Sequence, residues 1–346
     1  AMAAAAPAQS RTFTYDLLGR MTSRTEPEGT TTWSYDDTTG GNLGLGKVHS
    51  ESQSYFYRQY YYNPGYNGRL SSVTTVIGGS LYSQSVTYNS AGQVATETYP
   101  ASPAAPAGFI VEYTYNALGY LERVQNQGGS EVYYQTLATD AKGRILSEWM
   151  GDGSTVTQSY AGVSSRITSQ LSQHTAVVQE FSYTYDAVGN MLTRSDDLQA
   201  LSESFSYDSL DRLTSAQVSG QAAVQYAFDE AGSITQKSDI ADSYEYLMGP
   251  LHAVSLVTLG GSSRAFTYDA NGNFALGTDE PSILWSSYNK PTNLSKGGIQ
   301  YSFSYAPDRK RYSKQRNGET THYVGGRFEY RSGGGQTVAR HVIQAH

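Results

Sequence analysis

Phe181-Ser182-Tyr183-Thr184-Tyr185-Asp186-Ala187-Val188-Gly189-Asn190-Met191-Leu192-Thr193-Arg194 is the stretch whose reading decides the fold. Its first five residues alternate strictly between aromatic and Ser/Thr, the period-2 pattern of a strand with one apolar face. Asp186 followed three residues later by Gly189 is the preference of a type I turn. Asp accepts backbone N–H groups of the turn, and Gly enters φ > 0 without a Cβ clash. A type I turn followed by a left-handed residue closes a β-hairpin with a bulge.

The same block recurs along the chain as aromatic, Asp or Asn, two residues, Gly, then a polar and an apolar residue. Copies begin at Tyr15-Asp16…Gly19, Tyr88-Asn89…Gly92 and Tyr115-Asn116…Gly119. Others are Tyr185-Asp186…Gly189, Phe228-Asp229…Gly232 and Tyr268-Asp269…Gly272. Degraded copies are read at Thr139-Asp140…Gly143, Tyr207-Asp208…Asp211-Arg212, Tyr288-Asn289-Lys290-Pro291 and Tyr305-Ala306-Pro307-Asp308. Asp211 replaces Gly in one of them; Asp tolerates the left-handed region better than most residues. Clean neighbours lie about 21 residues apart, so each repeat is roughly two strands and two turns. No helical stretch longer than ten residues is evident.

About 15 repeats imply about 30 strands, a sheet roughly 140 Å wide at the usual strand spacing. Twisted sheets that wide curl or split, and a barrel that large is not filled by its own side chains. The fold class expected is therefore all-β: tandem β-hairpins in one long, curved or spiralling antiparallel sheet, a hollow shell or part of one.

Composition agrees with that class and narrows function. Only 38% of the 346 residues are hydrophobic, yet there are 30 Tyr and 35 Gly, so apolar area comes mainly from rings, and disorder is disfavoured. A net charge of −7 disfavours non-specific nucleic-acid binding. The absence of Cys removes thiol chemistry and Cys metal sites. No apolar run reaches the ~18–20 residues of a membrane helix. Residues 1–10 are Ala-rich and are set aside as a leader or a cloning or cleavage remnant, leaving 11–346 as the repeat domain.

These blocks resemble YD repeats, the unit of bacterial RHS proteins and of the related C-subunits of Tc toxins and the teneurins. The period, the Tyr-Asp…Gly-Arg/Asn core and the following Leu192-Thr193 and Leu213-Thr214 carry the likeness. Residues 305–346 are similar to the end of an RHS core, with Tyr305…Pro307-Asp308…Lys310-Arg311-Tyr312, then Tyr323-Val324-Gly325-Gly326-Arg327-Phe328-Glu329 and Arg340-His341-Val342-Ile343. The resemblance implies a spiralling sheet that encloses a toxic polypeptide, a secreted or bacterial cell-surface location, and partners that are toxin or effector polypeptide, remaining shell segments or secretion machinery. The family's autoproteolytic aspartates have no matching motif, so no catalytic residue is carried over.

Other candidate chemistry is read as turn or packing. Gly41-Asn42-Leu43-Gly44-Leu45-Gly46-Lys47-Val48 nearly spells a phosphate loop, but Val48 stands where a hydroxyl is needed and strand-like sequence follows. Asp269, Asn271, Asn273 and Glu280 have calcium-loop spacing, with Phe274 where Gly is required. The six His (His49, His174, His252, His322, His341, His346) form no zinc pattern. Asp36-Asp37 and Asp196-Asp197 read as turn solvation. Arg309, Lys310, Arg311, Lys314 and Arg316 form one basic cluster, and Pro100 to Pro106 a stiff hairpin loop. Tyr55-Phe56-Tyr57 and Tyr60-Tyr61-Tyr62 read as a cross-strand ladder before a glycan platform.

No cofactor and no metal is expected. The leading expectation is a non-enzymatic shell that encapsulates a toxin or effector polypeptide. The alternative is an adhesion module contacting surface glycans or a partner protein, and an enzyme has the least support. Uncapped end strands would associate edge to edge.

Overall fold

The hairpin pattern sets the whole architecture. The structure, a computed structural model, describes residues 10–103, 105–162, 164–247, 252–277 and 281–345. Most of the Ala-rich leader, Ala104 of the Pro-rich loop, Glu280 and His346 lie outside them. The described residues form 31 strands, and their only helical geometry is two short 3-10 turns, Thr39–Gly41 and Pro64–Tyr66. Every ladder described joins antiparallel neighbours in sequence order, from Thr12–Tyr15 with Met21–Glu26 to Phe328–Gly333 with Gln336–His341. The chain is all-β with long antiparallel sheets.

One hairpin shows how the repeat closes. Strand Val177–Tyr185 pairs with Met191–Asp196, and the register slips between Thr184 and Tyr185. The Asp186 N–H donates to Asn190 O at 2.9 Å, and Asp186 Oδ1 accepts the Gly189 and Asn190 N–H groups at 2.6 and 2.8 Å. Gly189 sits at φ 114°. The same slip falls just before Tyr15, Tyr88, Tyr207 and Phe228. A bulge at a fixed place in each repeat adds twist at a fixed place in each repeat.

The repeat region divides into two compact units: unit 1 is Ala1–Thr114, Gln125–Ser130 and Asp269–His346, and unit 2 is Tyr115–Val124 and Glu131–Tyr268. Of the fourteen buried hydrophobic side chains among the described residues, eleven lie in unit 1.

In unit 1, the meander from Thr12–Tyr15 to Phe109–Tyr115 is covered by a seven-stranded meander from Ser282–Trp285 to Gln336–His341. Phe56, Ile77 and Tyr82 of the first pack on Ala306, Tyr312, Val324 and Phe328 of the second. The Phe56 and Tyr312 rings are 5.0 Å apart, and those of Tyr82 and Phe328 5.9 Å. The expected wall with one open side thus meets a second sheet here, because its large apolar side chains gain by leaving water.

The two layers of unit 1 are also tied by polar contacts. Glu26, with only 4% of its side chain exposed, faces Arg24 at 2.9 Å, Arg309 at 2.6 Å and Arg11 at 3.6 Å. Glu28 accepts from the backbone N–H and hydroxyl of Ser287 at 2.6 and 2.8 Å. The Tyr82 hydroxyl lies 2.8 Å from His322 Nδ1, and Tyr99 donates to Val342 O at 3.0 Å.

Unit 2 has thirteen consecutive strands, from Val132–Thr139 to Ser262–Tyr268, and only three buried hydrophobic side chains among its described residues, Val124, Tyr134 and Ala241. What holds it is repeated between hairpins. The Tyr hydroxyl that ends one hairpin strand donates to a carbonyl at the start of the preceding strand: Tyr185 to Ile167 O at 3.0 Å, Tyr207 to Met191 O at 2.8 Å, and Tyr268 to Val254 O, just before that strand, at 2.9 Å. The residue after the turn glycine reaches the next repeat. Arg144 lies 4.4 Å over the Tyr160 ring and Arg212 4.8 Å over Phe228. Asn190 Nδ2 donates to Asp211 at 2.8 Å. Each is a modest interaction, and repetition makes them add.

Candidate binding cleft

The turn residues singled out in the sequence all lie at hairpin ends. Gly19, Gly92, Gly119, Gly232 and Gly272 are at φ 76–86°, and Asp211 at φ 60°. Asp16 Oδ1 accepts the Leu18 and Arg20 N–H groups, both at 2.9 Å. Asn89, Asn116, Asp208, Asp229 and Asp269 accept from their own turns in the same way. Hydrogen bonds from these N–H groups and the Arg20 side chain pull the Asp16 carboxyl below the usual range. Tyr15, in the first copy, is 57% exposed, whereas Tyr88 donates to Leu70 O at 2.8 Å.

Two degraded copies need a register correction or a new reading. At Tyr288-Asn289-Lys290-Pro291 the turn is Ser286 to Lys290, with Asn289 at φ 61° in the glycine place. Its aromatic is Trp285, whose Nε1–H donates to Phe274 O at 2.7 Å. The Tyr288-Asn289 pair mimics the repeat by composition, while Tyr288 lies 3.5 Å under the Arg309 guanidinium. At Tyr305 to Lys310 the turn is in register, with Ala306 in the Asp place and Arg309 at φ 64° in the Gly place. Asp308 is therefore a tip residue, free to face another element.

The remaining motifs fall into the same frame. Gly46-Lys47, from the phosphate-loop-like stretch, closes the hairpin of Gly29–Tyr35 and Val48–Gln53. Gly46 N–H donates to Asp36 at 2.6 Å, and Lys47 lies 4.6 Å over Tyr62. Sequence reading missed this copy because an insertion separates Tyr35-Asp36 from its glycine. Both carboxylate oxygens of Asp269 are engaged by Asn271 and Asn273. No His/Cys/Asp/Glu group that could hold a metal occurs among the described residues. Ser233 Oγ lies 2.7 Å from His252 Nδ1, a contact that resembles a nucleophile and its base. Ser233, however, follows Gly232 in the stitch position that Asn190 and Arg212 fill elsewhere. The aromatic runs are mostly used internally: Phe56 is 1% exposed, Tyr61 donates to Gly40 O and Tyr62 to Val48 O, while Tyr55 is 77% exposed.

Of the repeat turns, only the degraded copy at Tyr305 to Lys310 enters the one well-formed cleft described, a space of about 620 Å³ within unit 1. Its floor is the face of Phe56–Asn63, Arg69–Ile77, Ser80–Tyr88 and Val94–Tyr99, and its wall is the Ala306–Tyr312 hairpin with Tyr323 and Gly325–Arg327. Volume and mixed lining are those of small-ligand sites. The Gly325 loop fits closely: a Cβ there would come within 2.8 Å of Gln84.

Two ionic knots frame the space. At one end Arg58 Nη1 donates to Glu51 at 2.8 Å and to Asp308 at 3.4 Å, and the Tyr60 hydroxyl donates to Glu51 at 3.1 Å. Burial pushes the Tyr60 phenol up to about 12. At the other end Arg327 pairs with Glu97, which also accepts from Tyr113 at 2.9 Å. Burial, reinforced by the Glu97 charge, pushes Tyr99 up to about 12 and Tyr113 higher still. These phenols are neutral donors at neutral pH. The sequence flagged Lys310 and Arg311 only as part of a basic cluster; a cleft partner for them was not legible.

No known family profile matches the chain. Over 211 residues it is 29% identical to toxin subunit YenC2 of Yersinia entomophaga, a match covering 52% of this chain and 20% of that protein. Its fold resembles the TcdB2-TccC3 crystal structure, with a TM-score of 0.72, 17% identity and coverage of 94% of this chain against 20% of the other. It also resembles the Photorhabdus luminescens Tc holotoxin pore carrying TccC3-D651A, with a TM-score of 0.66, 16% identity and coverage of 94% against 20%. The chain thus spans about a fifth of the length of the proteins it matches; it is similar in sequence to a toxin subunit and in fold to part of a Tc toxin assembly.

Proposed function

We propose that this chain is a non-enzymatic wall segment of a secreted toxin-associated shell, and that the shell encloses a toxin or effector polypeptide. The observation that carries this reading is unit 2. Thirteen strands in sequence order bury almost no hydrophobic core among their described residues and are joined by repeated edge contacts. They form two sheets in succession, built to extend rather than to surround a reaction centre. Its Ser/Thr positions, such as Thr184 and Thr193 with hydroxyls 2.6 Å apart, offer a polar face to an enclosed chain without strong binding.

The similarity to YenC2 and to the TcdB2-TccC3 fold supports the toxin association. The YD-repeat assignment rests on the turn motif and its period. No helix among the described residues is long and apolar enough to cross a membrane. The test is co-expression with the polypeptide encoded beside it. Protection of that polypeptide from added protease, lost when residues 115–268 are deleted, supports the reading; equal digestion with and without this chain overturns it. A glycan-binding role draws on Tyr55 alone, since its neighbours are committed to packing.

A further inference from the structure

The cleft of unit 1 is more cationic than the protein around it. Arg58, Lys310, Arg311 and Arg327 line it against two carboxylates, Glu97 and Asp308, in a chain of net charge −7. The carboxylates are already used: Asp308 and Glu51 hold Arg58, and Glu97 holds Arg327. Lys310 and Arg311 have no ion-pair partner among the described residues, and the Arg311 guanidinium lies 4.7 Å over the Tyr323 ring. Beside these cations the lining is apolar, with Leu70, Val73 and Val86. Both side chains are exposed where they line the cleft, and unpaired cations grouped along a concave surface attract a counter-anion.

We propose that this cleft binds an organic anion with an aromatic or aliphatic body, the anionic group meeting Lys310 and Arg311 and the body lying against Tyr323, Val86 and Leu70. A carboxylate and a phosphate both fit the two donors, since an arginine fork donates to either in bidentate fashion. The body gains by leaving water against the apolar floor. The shell reading does not require these contacts, so the site is an addition to it.

Calorimetric titration of the intact chain tests it with three probes: phenyl phosphate, N-acetyl-phenylalanine and the neutral benzyl alcohol. Saturable binding of at least one anion, with none of the alcohol, is expected, and whichever anion binds tighter identifies the head group. Lys310→Glu should weaken binding about tenfold or more. It should leave the unfolding temperature unchanged, because that side chain is exposed. Arg311→Gln should weaken it as well. Absence of saturable anion binding up to millimolar concentration, equal binding of the alcohol, or binding unmoved by both substitutions overturns the proposal.

Discussion

Units 1 and 2 are built from the same hairpin and are stabilised differently. Unit 2 lays hairpins side by side, and its contacts are local: a tyrosine hydroxyl reaches back to the start of the preceding strand, and an arginine or asparagine reaches forward one turn. Unit 1 uses the same stitches, as at Tyr35 and Tyr305. It adds contacts between residues more than two hundred positions apart, including Glu26 with Arg309 and Tyr82 with His322. The comparison teaches that a repeat fixes the sheet, while departures from the repeat decide where a second layer can be built. Arg309 is the clearest case. It sits in the glycine place of its turn at a left-handed φ of 64°, a strain of order 1–2 kcal/mol, and in exchange reaches both Glu26 and Tyr288.

The largest effect should come from the core that only unit 1 possesses. Phe328→Ala removes a ring 1% exposed between the layers and should cost about 3–5 kcal/mol. Phe205→Ala in unit 2, where the ring is half-buried, should cost about 1–2 kcal/mol. Denaturant unfolding of both variants measures the gap, and equal losses would erase the distinction. Next comes the buried ion cluster. Glu26→Gln leaves Arg11, Arg24 and Arg309 facing one another and should cost about 3 kcal/mol, with faster hydrogen exchange in residues 282–341 and unchanged exchange in unit 2.

Acid should separate the units by pH. Burial holds the His322 and His341 imidazoles below their ordinary value. The unfolded chain therefore takes up protons first, so the contribution of these two imidazoles to unit 1 is full above about pH 6.5 and is lost as pH falls below that. In unit 2, Asp140, Asp186 and Asp208 are shifted down by hydrogen bonds that outweigh their partial burial, with the Arg144 and Arg212 side chains helping Asp140 and Asp208. Their support persists above about pH 4 and disappears only as pH drops through the lowered values. Hydrogen exchange followed by segment should show unit 1 loosening first. The smallest effects test single stitches: Tyr207→Phe deletes the bond to Met191 O and should cost about 1 kcal/mol. Gly232→Ala, at φ 86° with open space where its Cβ would go, should cost about 1 kcal/mol through backbone strain alone.

Much of this was legible in the chain. Alternating aromatics gave strands because a pleat sends successive side chains to opposite faces, and Asp-x-x-Gly gave turns because few residues take φ > 0. The register at Tyr288-Asn289 was misread because Asn289 fits the Asp/Asn place by composition, while its φ puts it in the glycine place. The cleft was not legible at all: Arg58, Lys310 and Arg327 lie far apart in sequence, and nothing local records that a strand and two loops meet.

By itself the sequence determined the hairpin, its period and the antiparallel order, since these follow from local backbone preferences repeated along the chain. Tertiary structure alone decided which hairpins received a second layer, which tyrosines became buried donors and which cations were left without a carboxylate. Those outcomes depend on contacts between distant segments, and the burial that drives such contacts is non-directional and leaves no spacing in the chain.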